Sequence, residues 1–112
     1  MAVKNEGEPF TRIDVHEAKE MIDNNDVQVV DSREMHEHAE GHVPGSINIS
    51  HMATLVRADE LVSDKPILFI CKSGQRSAVA AEFAASLGHT ELYNVEGGHD
   101  DWEAAGYPME TD

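Results

Sequence analysis

Residues 65–71 read "KPILFIC", with four consecutive apolar residues, Ile67 to Ile70, between Pro66 and a polar loop. A strand with one wet face alternates apolar and polar residues. A run without alternation is the pattern of a strand covered on both faces of its sheet. A chain that owns such a strand must supply covering helices, and the flanking sequence does so. Asp14 precedes "VHEAKEMI" with Glu17 three residues on, a capping-box pattern with Asp in the Ser/Thr place. Val15, Ala18, Met21 and Ile22 recur at helical spacing, so one face of that segment packs inward. "NND" ends it, and "VQVVD" follows as a short β-branched strand with Asp31 and Ser32 at its end.

"SREMHEHAE" reads as a short helix closed by Gly41, Pro44-Gly45 as a turn, and "SINI" as a brief strand. Ser50 is placed to cap a further helical run, "HMATLVRADELV". Beyond the apolar strand, Ser77 to Leu87 is alanine-rich and helical, with Gly88 where a C-terminal glycine belongs. "ELYNV" is another strand, Gly97-Gly98 a turn, and "DDWEAA" a last helix ended by Gly106. Trp102 is expected to anchor the core, with Met35 and Met52 at its periphery. Strands alternating with helices along the whole length predict an α/β domain with a largely parallel sheet. At 112 residues there is one domain, expected over 10–108 between a flexible segment at 1–9 and a tail at 109–112.

Composition narrows the partners. One cysteine cannot form an internal disulfide, which fits the reducing cytoplasm. The opening "MAVKNEGEPF" is not a charged-apolar leader, and no apolar stretch approaches the ~20 residues that span a bilayer. Asp and Glu number 22 against 8 Lys and Arg, a formal charge of −14. Such a field repels nucleic acid and anionic membranes, so neither is an expected partner. The acidity reads as a solubility feature, of the kind salt-adapted proteins carry.

Against that background a local pair of cations stands out. The lone Cys71 ends the central strand, and Lys72 and Arg76 follow it within six positions. Ligands in open α/β sheets bind at the carboxyl ends of the strands. The loop Lys72-Ser73-Gly74-Gln75-Arg76 can turn several backbone N–H groups to one point, and Gly74 eases the angles this needs. Those amides and the helix start behind them favour an anion where the thiol sits. Such surroundings lower a cysteine pKa from ~8.5 by one to several units, so an exposed thiolate nucleophile is expected. A lone cysteine is more often a small buried hydrophobe. Here its polar and cationic neighbours weigh toward catalysis.

Three stretches, "VVDSREMHEHAEGHVPGSINI", "ILFICKSGQRSAVAA" and "YNVEGGHDDWEAAGYP", resemble the rhodanese family of sulfurtransferases in order and spacing, over about Phe10 to Pro108. The resemblance implies a single rhodanese-like domain: a five-stranded parallel sheet flanked by helices on both faces. It implies that Cys71 takes a sulfane sulfur from a small anionic donor such as thiosulfate and passes it, as a persulfide, to cyanide or a thiol. In that reading the loop amides from Lys72 through Ser73, Gly74, Gln75 and Arg76 to Ser77 stabilise the persulfide. Arg76, assisted by Lys72, orients the donor's sulfonate. Asp31, Arg33 and His42 are expected to brace neighbouring loops. No metal or organic cofactor is required.

Other readings were open to the same residues. Cysteine phosphatases resemble this loop, but their arginine stands six positions after the cysteine, and Arg76 stands five after Cys71. The shorter loop suits a sulfur atom better than a phosphate. His36, His38 and His42 match zinc-site spacings poorly. His99 departs from the family's usual aliphatic residue and is expected at a solvated helix start, with Asp100 and Asp101 at the positive end of the helix dipole. Some rhodanese-like domains are binding or regulatory modules, often without the cysteine. A persulfide relay to a protein acceptor shares the first half-reaction. A redox role by internal disulfide lacks a second cysteine.

Overall fold

The computed structural model describes residues 2–24 and 26–111. Met1, Asp112 and Asn25, the last within the helix-ending "NND", lie outside them. Five strands, β1 (Thr11–Ile13), β2 (Gln28–Asp31), β3 (Ile47–Asn48), β4 (Ile67–Ile70) and β5 (Leu92–Val95), form one sheet in the order β1-β5-β4-β2-β3. Every pairing is parallel. The unalternated apolar run takes the middle place, as its pattern requires. Along β4 successive side chains point to opposite faces. Ile67 and Phe69 enter one core with Val30, Ile49, Leu61, Ala80, Ala81, Ala84 and Leu92. Leu68 and Ile70 enter a second with Ile13, Val15, Ala18, Val43, Val95 and Trp102.

The helices are α1 (Val15–Asp23), α2 (Met35–Glu40), α3 (Gln75–Ser86) and α4 (Gly98–Ala104). Alanines let α3 lie close on the first face, and α1 and α4 cover the second. The capping box at α1 is present in full: Asp14 Oδ1 accepts from the Glu17 amide at 2.8 Å, and Glu17 Oε1 accepts from the Asp14 amide at 3.1 Å. Trp102 is the largest fully buried side chain, its Nε1 donating to the Pro108 carbonyl at 2.8 Å. Among the described residues no helix is long and apolar enough to cross a membrane.

Several local expectations fail for identifiable reasons. The run after Ser50 forms two short 3₁₀ helices, His51–Ala53 and Ala58–Glu60, and Ser50 makes no side-chain cap. Its apolar residues do not hold a helical stripe against the core: Leu55 and Val56 face solvent while Leu61 alone is buried among them. Met35 and Met52 are not peripheral core. They are 78% and 71% exposed. α3 begins two residues before Ser77, because Gly74, at φ 113°, turns the chain into the helix ahead of Gln75. Three-residue β1 has no alternating pattern to announce it, and Val3 exchanges both backbone hydrogen bonds with its Arg12, at 2.8 and 2.7 Å. At the other edge, the Arg57 guanidinium donates to the Asn48 carbonyl of β3 at 2.8 Å.

Candidate active site

Cys71 follows the last residue of β4, and α3 starts four positions later. Gly74 stands between them in a left-handed conformation that a side chain would strain. That turn aims the Gly74 amide back at the thiol, where it donates to Sγ at 3.1 Å. The Ser77 hydroxyl, one turn into α3, lies 3.3 Å from the same sulfur. No acidic residue occupies the first turn of α3, so its positive end is left for an anion. The expected ring of amides is therefore narrower than the whole loop: one N–H and one hydroxyl reach the sulfur.

The thiol is also deeper than expected. Cys71 is 1% exposed, yet it belongs to neither apolar core. Its burial lies beneath a polar loop. Ser77 Oγ also bonds Asn94 Oδ1. The amide orientation at Asn94 is set by its nitrogen, which donates to the Gly74 carbonyl at 3.1 Å and to Glu96. A hydroxyl has one proton and cannot serve Sγ and Asn94 at once. With a thiol, Ser77 can donate to Asn94 and accept from S–H; with a thiolate, its proton can turn to sulfur.

The two cations are present but engaged. Arg76 makes a paired contact with Glu37 of α2, Nη1 to Oε1 at 2.7 Å and Nη2 to Oε2 at 3.0 Å. The Arg76 hydrogen bonds, working against partial burial, hold the Glu37 carboxyl down to about 2. Glu37 in turn raises the Arg76 pKa. Lys72, on the exposed rim, donates to both carboxylate oxygens of Asp100, at 2.8 and 3.1 Å. Glu37 was not among the residues singled out in the sequence, and Asp100 was read there only as a helix-start residue, not as a partner of Lys72. A carboxylate far from the loop in sequence leaves no local signal.

Behind the loop lies a buried polar network. Asp31 accepts from Arg33 Nε at 3.0 Å and Nη2 at 2.8 Å, and from His38 Nδ1 at 2.9 Å. Burial pushes the Asp31 pKa up, but Arg33, His99 and His38 outweigh it and the net shift is downward. Arg33 Nη2 also donates to the Gly41 carbonyl at 2.7 Å. His42 donates from Nδ1 to the His38 carbonyl at 2.7 Å, and the two rings stack at 3.6 Å. His99 is not at a solvated helix start. It is 1% exposed, and its Nδ1 lies 2.9 Å from the Cys71 carbonyl. Asp100 and Asp101 do occupy the first turn of α4.

A parallel five-stranded sheet that delivers a cysteine from its central strand into the start of a helix is the architecture of the rhodanese-like domain. The chain belongs to that family, whose model matches residues 14–105. Curated relatives that this chain resembles are named for sulfur transfer. The "Thiosulfate sulfurtransferase GlpE" of Actinobacillus pleuropneumoniae serotype 7 is 33% identical over 104 residues, covering 93% of this chain and 96% of the relative. Among solved structures, a rhodanese-related protein from Thermoplasma volcanium has a TM-score of 0.82 and 35% identity, covering 90% of this chain and 98% of that one. A Rhodopseudomonas palustris protein of unknown function, described as a possible tyrosine phosphatase, has a TM-score of 0.77 and 29% identity, covering 88% of this chain and 83% of that one.

Proposed function

We propose that this protein is a thiosulfate sulfurtransferase of the rhodanese type, with Cys71 as the sulfur carrier. The observation that carries the reading is the sulfur atom at the end of β4, held by the Gly74 amide at 3.1 Å and the Ser77 hydroxyl at 3.3 Å at the start of α3. The Cys71 thiolate attacks the outer sulfur of thiosulfate. A sulfur–sulfur bond forms to Sγ, the sulfane–sulfonate bond breaks, and sulfite departs with that bond's electron pair. Cyanide or a thiolate then takes the outer sulfur and returns the thiolate. Two half-reactions on one carrier give ping-pong kinetics. The depth of Cys71 suits a donor whose transferable sulfur projects as a single atom.

Arg76 uses two of its five N–H donors on Glu37, so three remain for a sulfonate. The remaining amides of the 72–77 loop stabilise the persulfide anion, as preorganised donors do for developing charge. Asp31, Arg33 and His42 hold the adjoining loops in place. The test is intact mass after incubation with thiosulfate. One added sulfur atom is expected, removed by cyanide or dithiothreitol and absent in Cys71→Ser. Retained turnover in Cys71→Ser would overturn the assignment. Hydrolysis of an aryl phosphate by wild type, with no sulfur uptake, would move the protein to the phosphatases.

A further inference from the structure

A buried imidazole stands directly behind the nucleophile's own backbone. The Cys71 carbonyl takes two hydrogen bonds from one residue: from the His99 backbone N–H at 2.8 Å and from His99 Nδ1 at 2.9 Å. A carbonyl only accepts, so Nδ1 carries a proton. The other ring nitrogen, Nε2, faces Arg33 Nη2 at 3.3 Å and the Val43 amide at 3.4 Å. Both of these only donate, so Nε2 is bare. Contacts on both sides thus select a neutral ring with its hydrogen on Nδ1.

The direction of that carbonyl matters for the loop. In a trans peptide the C=O and the following N–H point opposite ways. With the Cys71 carbonyl drawn to α4, the Lys72 N–H points away from α4. The Lys72 carbonyl is likewise taken by the Asp100 amide at 3.0 Å, which turns the Ser73 N–H the same way. Among the described residues neither N–H has an acceptor in the protein. We propose that His99 is a positioning residue for sulfur transfer, holding the Cys71 carbonyl as a neutral Nδ1–H imidazole so that the loop amides stay turned toward the incoming sulfur. This rests on Cys71 being the sulfur carrier.

Protonating the ring would set an Nε2 hydrogen against the Arg33 and Val43 donors. The charged and titratable groups around the ring are Asp31 from β2, Arg33 from the loop after it, Cys71 at the end of β4, and Glu103 on α4 itself. His38 joins them through Asp31, and His42 through its stack on His38. Burial dominates and lowers the His99 pKa from its ordinary 6.5, so the ring stays neutral at neutral pH and its role fades only in acid.

The first measurement is the tautomer of His99 in the wild-type protein, read at neutral pH from long-range ¹⁵N–¹H correlations of the imidazole. Protonation at Nδ1 alone is expected; an Nε2–H or doubly protonated ring overturns the proposal. The second is single-turnover persulfide formation, followed by intact mass, in His99→Ile and His99→Gln. Glutamine can donate to the Cys71 carbonyl and accept from Arg33, and isoleucine can do neither. His99→Ile should slow the step about tenfold at saturating thiosulfate, and His99→Gln should recover most of the loss. A wild-type rate in His99→Ile overturns the proposal, as does a His99→Gln variant that folds but remains as slow. Should His99→Ile not fold, the pH dependence of His99→Gln decides. Wild type should lose rate more steeply than this variant as the pH falls into the acid range below the ordinary imidazole value of 6.5, and parallel profiles overturn the proposal. If wild type takes up no sulfur, the sulfurtransferase reading fails, while the tautomer stands as measured.

Discussion

In the proposed reaction Arg76 would meet the donor with its charge already shared with Glu37, and that pairing can be probed from both sides. Arg76→Ala should lower kcat/KM for thiosulfate by about tenfold or more, since the sulfonate loses charge-assisted hydrogen bonds. Unchanged kinetics would put the sulfonate elsewhere. Glu37 has a depressed pKa, from an ordinary 4.5 to about 2, so it contributes stability above pH 4.5 that is lost as the pH falls toward 2. In thermal melts, the deficit of Glu37→Gln against wild type should be largest above pH 4.5 and should shrink toward pH 2. Residues of this kind divide sharply in how readable they are. Cys71, Gly74 and Ser77 share one short stretch, so the loop that holds the sulfur could be located in the sequence, although not that one amide and one hydroxyl of it would reach the sulfur. Glu37, Asp100, Asn94 and His99 act from other elements. Nothing near them in the chain says that the sheet brings them to the same end.

At the level of elements, the close approach of α4 to the cysteine loop depends on Gly98. A Cβ there would stand 2.4 Å from the Cys71 oxygen and 2.6 Å from the Lys72 oxygen, and φ is +53°. Both clashes are with backbone, so Gly98→Ala must push α4 and the loop apart. We expect a loss on the order of 1–3 kcal/mol in denaturant titration and slower persulfide formation. A variant with wild-type stability would mean that the approach is not tight. The elements themselves were legible where one physical signal dominated. The unbroken Ile67–Ile70 run located the central strand, and Asp14 with Glu17 located the start of α1. The segment from His51 to Val62 misled because its apolar residues fit helical spacing while only some of them, Leu61 with Ala53 and Val62, meet the core and Met52, Leu55 and Val56 face solvent. β1 was silent because three residues at a sheet margin need no pattern to pair.

Taken whole, the molecule carries a formal charge of −14, and its proposed donor is a dianion. The field opposes that encounter and is screened by salt. Raising ionic strength from about 10 to 200 mM should therefore increase kcat/KM for thiosulfate, with a smaller effect on singly charged cyanide in the second half-reaction. A fall with salt would mean that the local cations govern capture. The far margin of the sheet has a separate consequence. β3 is two residues long, and Arg57 already holds the Asn48 carbonyl. A second copy finds no open ladder there to extend, and mutual repulsion discourages even the attempt. Crowded solutions of this protein should stay free of fibrils nucleated from that rim.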